Sequence, residues 1–157
     1  MLKGKVVINN NKYINSMQSF LYVSGVGAMD CEIKGNYIEG TACTAIDFRA
    51  MKEDGDVKFV IENNELNNTG TDWGTIRIRS AEYGDGDSLS IIVKDNKIIE
   101  SHCVMDDGTP RFINNPAFDA QSDPFKKIYT IGKNYYEVDG KAYTDLTDAS
   151  FGGAAVS

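Results

Sequence analysis

Residues 57–68 read VKFVIENNELNN, and close relatives of this stretch recur along the chain. KVVINNNKYIN occupies 5–15, MDCEIKGNYIE 29–39 and SIIVKDNKIIE 90–100. All four fit one template: an aliphatic residue, two variable positions, Asn, one variable position, then an apolar residue. The template asparagines are Asn11, Asn36, Asn64 and Asn96, spaced by 25, 28 and 32 residues. Self-similarity at such a period is the mark of a chain built from stacked units.

A second segment recurs between the templates: FLYVSG at 20–25, AIDFRA at 45–50 and TIRIRSA at 75–81. Aligning the apolar residues sets Leu21 with Ile46 and Ile76, and Val23 with Phe48 and Ile78. Strict alternation marks strands with one buried and one solvated face. A third likeness joins DGDVKFVI at 54–61 to DGDSLSIIV at 85–93. Each period thus holds a strand pair around the Asn and one further strand. A βαβ unit would need an amphipathic helix in each period, and none is present. The L-x-x-L-x-L spacing of a leucine-rich repeat is also missing. What remains is an all-β coil of three strands per turn, whose core exists only because neighbouring coils stack.

These segments, VINNNKY, EIKGNYI, VIENNEL and IVKDNKI above all, resemble the right-handed parallel β-helix family, the pectate-lyase-like fold. The resemblance covers residues 5–100 and implies a solenoid of three to four coils. It also implies a two-residue turn that holds each repeated Asn in left-handed conformation and stacks the four into a structural ladder. Asn tolerates positive φ better than most residues, and stacked amides can bond along the pile. On this reading the coils span 1–105, and 106–157 form an irregular loop and a capping β-hairpin of the same domain. All three prolines fall in 106–157, and EVDGKA at 137–142 carries the Asp-Gly pair of a type I′ hairpin. Tyr129, Tyr135, Tyr136 and Tyr143 are expected on that terminal hairpin. Such a cap would cover strand edges that otherwise invite aggregation.

Bulk properties narrow the function. The chain has 157 residues, 41% hydrophobic and 25% charged, with net charge −7. That composition is globular, and the acidic balance speaks against nucleic acid or an anionic membrane as partner. No apolar run reaches the roughly 18 residues of a membrane-spanning helix. The start MLKGKVVINNNKY lacks an apolar leader, and it opens directly in a repeat. The expectation is a fragment, without its signal peptide, of an extracellular or cell-surface bacterial protein. Cys31, Cys43 and Cys103 show no C-x-x-C spacing; their odd number leaves at least one unpaired within the chain. His102 has no triad-like partner in the sequence.

Candidate chemistry lies on the outward columns of the aligned strands. Tyr22, Asp47 and Arg77 share one column; Ser24, Arg49 and Arg79 share the next. The resemblance places ligands on such a face, which makes Asp47, Arg49, Arg77 and Arg79 the expected contacts for an acidic sugar. The same column also reads as a salt-bridge ladder, with Asp47 neutralising Arg77. Trp73, ahead of the Arg-bearing strand, could stack on a sugar ring or cap the corner. A lyase of the family needs clustered carboxylates around calcium, and Asp47 stands alone on its column. A glycosidase needs paired carboxylates, and the aligned strands offer none. Neither a catalytic residue nor a cofactor is therefore expected. The acidic turns (Glu53, Asp54 and Asp56; Asp85 and Asp87; Asp106 and Asp107) could gather oxygens for Ca²⁺, but none matches the D-x-D-x-D-G-x₅-E loop. The leading expectation is a non-catalytic module acting as scaffold or weak glycan contact. The alternatives are the C-terminal part of a polysaccharide lyase or hydrolase, or a phage tail-spike segment. Expected partners are a polysaccharide, an upstream domain, or a second copy meeting the open first coil.

Overall fold

The computed structural model describes residues 2–51, 57–69, 73–82, 89–101, 108–114, 129–144, 146 and 150. Among them the chain is all-β, in an eight-stranded and a six-stranded sheet. The strand before each repeated Asn builds one row. It comprises β1 (Leu2–Asn9), the second half of β3 (Leu21–Lys34), β6 (Val57–Glu62), β9 (Leu89–Lys94) and β12 (Tyr129–Ile131). The strand after the Asn builds a second row: β2 (Lys12–Ser16), β4 (Tyr37–Thr41), β7 (Glu65–Asn67), β10 (Lys97–Ile99) and β13 (Tyr135–Val138). The third row joins the first half of β3 with β5 (Ile46–Met51), β8 (Ile76–Glu82) and β11 (Ile113–Asn114). Every pairing in these rows is parallel. Among the described residues, β14 (Lys141–Ala142) alone runs antiparallel, against β13.

Strand registers follow the apolar alignment read from the sequence. Leu21 pairs with Ile46 and Ile46 with Ile76; Val23 pairs with Phe48 and Phe48 with Ile78. Identical spacing around each Asn does the same for the other rows. Ile33, Ile61, Val93 and Ile131 form one buried column, and Ile38, Leu66, Ile98 and Tyr136 another. Each fully buried aliphatic side chain is worth roughly 1.5–3 kcal/mol relative to exposure. An isolated three-strand unit could not bury these columns, so packing between neighbouring repeats supplies the core.

Three expectations are corrected. The first concerns the turn. The template asparagines do not hold the left-handed conformation; the residue before each does. Positive φ falls on Asn10 (58°), Gly35 (64°), Asn63 (56°) and Asp95 (55°). A second left-handed column follows four residues after each Asn, at Asn15 (55°), Gly40 (65°), Asn68 (51°) and Glu100 (54°). Two such corners per repeat let the chain turn sharply on either side of a short strand. The repeated Asn is then free to place its amide inward.

The second correction concerns where the parallel pairing stops. It does not end near residue 105: β12 pairs with β9 and β13 with β10, adding a fifth repeat. Tyr135 and Tyr136 therefore lie in a parallel strand. Their strand also forms the expected hairpin, with Glu137 opposite Ala142 and both Asp139 (52°) and Gly140 (70°) at positive φ. Positive φ at both central residues is the requirement of a type I′ turn.

The third correction is the degree of exposure of the outward face, described with the site below. His102, Cys103 and the acidic residues of the turns at 53–56, 85–87 and 106–107 lie outside the described residues.

Candidate functional site

The repeated asparagines form one continuous hydrogen-bonded series. The Asn11 side-chain amide donates to Asn36 Oδ1 at 3.0 Å, Asn36 to Asn64 at 2.9 Å, and Asn64 to Asn96 at 2.9 Å. Asn96 continues it to Asn134 Oδ1 at 3.0 Å. Each receiving Oδ1 also accepts the backbone N–H of the preceding Asn, at 2.9–3.0 Å. Their Nδ2 groups donate once more into the strands: Asn36 to the Ile8 carbonyl, Asn64 to Ile33 and Asn96 to Ile61. Asn36, Asn64 and Asn96 are buried, so these bonds satisfy groups that water cannot reach. Asn134, in IGKNYY at 131–136, also fits the template and is its fifth member, beyond the four expected.

The outward column of the third row is in the expected register, Tyr22 beside Asp47 beside Arg77, and Asn114 extends it. Its solvation differs from the expectation. Tyr22 is 61% exposed, whereas Asp47 is 6% and Asn114 is 2%. Arg77 Nη1 lies 3.8 Å from Asp47 Oδ2, so the carboxylate is answered by the next strand's cation. The same guanidinium sits 4.0 Å from the centroid of the Trp73 ring. Stacking of this kind uses the planar, weakly hydrated face of Arg. Trp73 itself remains 46% exposed.

The backbone under Trp73 explains its placement. Gly74 has φ of +81° and is buried, and an added Cβ would lie 3.0 Å from the Phe112 carbonyl oxygen. That carbonyl accepts the N–H groups of both Thr75 and Ile76. The close approach therefore ties the Trp73 corner to residues 111–112. Asn114 Nδ2, in the same column, is buried without a hydrogen-bond partner among the described residues. Arg49 and Arg79 pair in the next register position, as aligned; their side chains lie outside the described residues. The structure thus joins Asp47, Arg77 and Trp73, and adds Tyr22 and Asn114. Among the described residues no group of three or more His, Cys, Asp or Glu side chains is placed to hold a metal ion.

Charged columns flank the first row. Lys34 and Lys94 both contact Glu62, at 3.4 and 3.0 Å, and Lys5 contacts Glu32 at 3.3 Å. The hydrogen bond from Lys94, then that from Lys34, holds the Glu62 carboxyl below its ordinary range. Such partly exposed pairs set register more than they add stability.

A pocket of about 510 Å³ lies at the far end of the asparagine series. Lys97, Lys133, Asn134, Tyr135, Tyr143 and Thr144 are among its walls. Its size falls within the range of small-ligand sites. No protein-family model, curated protein or solved structure matches the chain.

Proposed function

We propose that the chain is a short right-handed parallel β-helix module, non-catalytic, acting as a rigid scaffold with a weak glycan-contacting corner at Trp73. Three parallel rows with one asparagine series support the solenoid reading, and parallel crossovers in a sheet are right-handed almost without exception. The observation that carries the contact is the Trp73–Arg77 stack. One partner is a cation held against the ring and the other an indole half open to solvent. Arg77 and Gly74 fix the indole, so a sugar ring meets a surface that loses little freedom on binding. Tyr22, exposed on the same column, offers a second aromatic edge.

Asp47 is a poor candidate for acid–base work in this reading, since it is buried and held by Arg77. A module of this kind suits a secreted or surface protein that positions other parts against a polysaccharide. Trp73 is the chain's single tryptophan, so selectively excited tryptophan emission reports on this corner alone. A panel of neutral and acidic oligosaccharides is titrated while the same mixtures are assayed for chain cleavage. The expected result is weak quenching or a blue shift with some glycans, abolished in Trp73→Ala, with no cleavage. Cleavage of any member, or no spectral response to all of them, contradicts the proposal.

A further inference from the structure

The asparagine series has a direction, and its two ends differ. At each internal step, the backbone N–H of one Asn donates to Oδ1 of the next. The residue following that next Asn then returns its own N–H to the first Asn's carbonyl. Between Asn96 and Asn134 these two bonds measure 2.9 and 2.8 Å. The same exchange occurs between Asn11 and Asn36, where Tyr37 N–H meets the Asn11 carbonyl at 2.9 Å.

At the last member the outgoing half is unfilled. The Lys133 carbonyl accepts from Asp95 N–H at 2.6 Å on the inner side. In a planar trans peptide the Asn134 N–H must then point the opposite way, into the pocket. Tyr135 N–H is bonded inward to the Asn96 carbonyl, so the Asn134 carbonyl also points outward. Neither group has a partner among the described residues. Asn134, one of the residues lining the pocket, therefore turns one donor and one acceptor away from the Asn96 repeat.

At the first member the incoming half is unfilled. Asn11 is exposed, and its Oδ1 receives no donor among the described residues. Its carbonyl is bonded inward to Tyr37, which turns the Lys12 N–H outward by the same peptide geometry. The interior also stays partly uncovered here. Val6, Tyr13 and Leu21 are half-buried where Cys31, Ile38 and Ile46 of the next repeat are fully buried.

We propose that the two ends recognise each other: the Asn9–Lys12 turn of one copy seats in the Asn134 pocket of a second. The second copy's Asn134 N–H then donates to the first copy's Asn11 Oδ1, and the first copy's Lys12 N–H returns to that Asn134 carbonyl. This is the bond pair already present at each of the four internal steps. The side chains agree. Lys12 Nζ lies 5.5 Å from the Tyr37 ring within one copy, and Tyr135 occupies the same column at the far end. β14 and Tyr143 occupy the position beyond Tyr136, where Tyr143 N–H bonds the Tyr136 carbonyl. The overlap is thereby confined to the turn, which keeps association weak. A contact between unlike surfaces propagates into open chains rather than closing as a dimer.

The test combines sedimentation with amide chemical shifts over a concentration series up to the millimolar range. Expected is a reversible rise in average mass, with the Asn134 and Lys12 amides moving together. Asn11→Ala should weaken association roughly tenfold, the scale of one to two lost hydrogen bonds. A synthetic peptide VINNNKY, copying residues 7–13, should shift the Asn134 amide, and the same peptide with Ala in place of Asn11 should not. Constant mass at all concentrations together with an unmoved Asn134 amide in the presence of the peptide overturns the proposal. So does association that Asn11→Ala leaves unchanged.

Discussion

The side-chain amide of Asn64 donates to Asn96 Oδ1 at 2.9 Å, while Asn64 Oδ1 accepts both the amide and the backbone N–H of Asn36. One buried side chain thus satisfies groups on both neighbouring repeats. Asn64→Ala leaves those two Asn36 donors without their acceptor, and takes one donor from the Ile33 carbonyl, in a place water cannot enter. The expected loss is about 2–4 kcal/mol, since each stranded buried group costs about 1–3. Asn11→Ala, at the exposed end, should cost under about 1 kcal/mol. Denaturant melts of the two variants check the contrast.

Gly74 separates space from backbone conformation. Ala there meets both a positive φ and the Phe112 carbonyl 3.0 Å from its Cβ, an atom held by two hydrogen bonds. Ala at Gly140 meets a positive φ but nothing within 4 Å. Gly140→Ala should cost about 1 kcal/mol, the left-handed penalty alone. Gly74→Ala should cost about 2–4 kcal/mol and redshift Trp73 emission as its corner loosens. Equal melting temperatures for the two would show that the Phe112 contact is not tight.

Glu62 makes stability acid-sensitive. Its hydrogen bonds from Lys94 and Lys34 lower its carboxyl below the ordinary value of 4.5. A lowered folded value means the contribution is complete above 4.5, and it fades as pH falls through the folded value. Glu62→Gln should flatten the fall in stability on acidification, most visibly at low salt, where such pairs are least screened. A wild-type and variant pair with superimposable acid titrations of stability would remove Glu62 from this role.

Cys31 should be chemically silent in the folded protein. Burial, with Glu32 beside it, pushes its thiol up to about 11. At pH 8 it is neither ionised nor reachable, whereas Cys43 is only partly covered. Mass mapping after brief alkylation should find Cys43 modified and Cys31 untouched until denaturant is added. Because the folded thiol keeps its proton longer, its contribution is complete below the ordinary 9.0 and is lost as pH rises toward about 11.

Much of the architecture could be read from spacing. The alternation in AIDFRA and TIRIRSA carried enough information to set Ile46 on Ile76 and Asp47 on Arg77, because a one-residue slip would turn the apolar set outward. The Asn134 repeat was hidden for a physical reason. Its segment IGKNYY at 131–136 keeps the template spacing, but 38 residues separate Asn134 from Asn96, more than any earlier interval. The adjacent Asp-Gly signal also drew residues 135–143 into a hairpin alone. The left-handed column is also legible, one residue before each repeated Asn. Asn10, Gly35, Asn63 and Asp95 are all types that tolerate positive φ, and that shared tolerance was the available signal. At the candidate site, the pairing of Asp47 with Arg77 followed from register. The burial of Asp47 and the Trp73 stack did not, because both depend on how a corner folds over a strand.

The most direct test of the asparagine series is native-state hydrogen exchange of the backbone N–H groups of the five asparagines. If the series is one buried structural spine, Asn36, Asn64 and Asn96 should exchange only through global unfolding, with the highest protection in the chain. Asn134, whose N–H faces the pocket, should exchange orders of magnitude faster in dilute protein. Fast exchange at Asn64 and Asn96, or protection at Asn134 equal to theirs, would contradict the account.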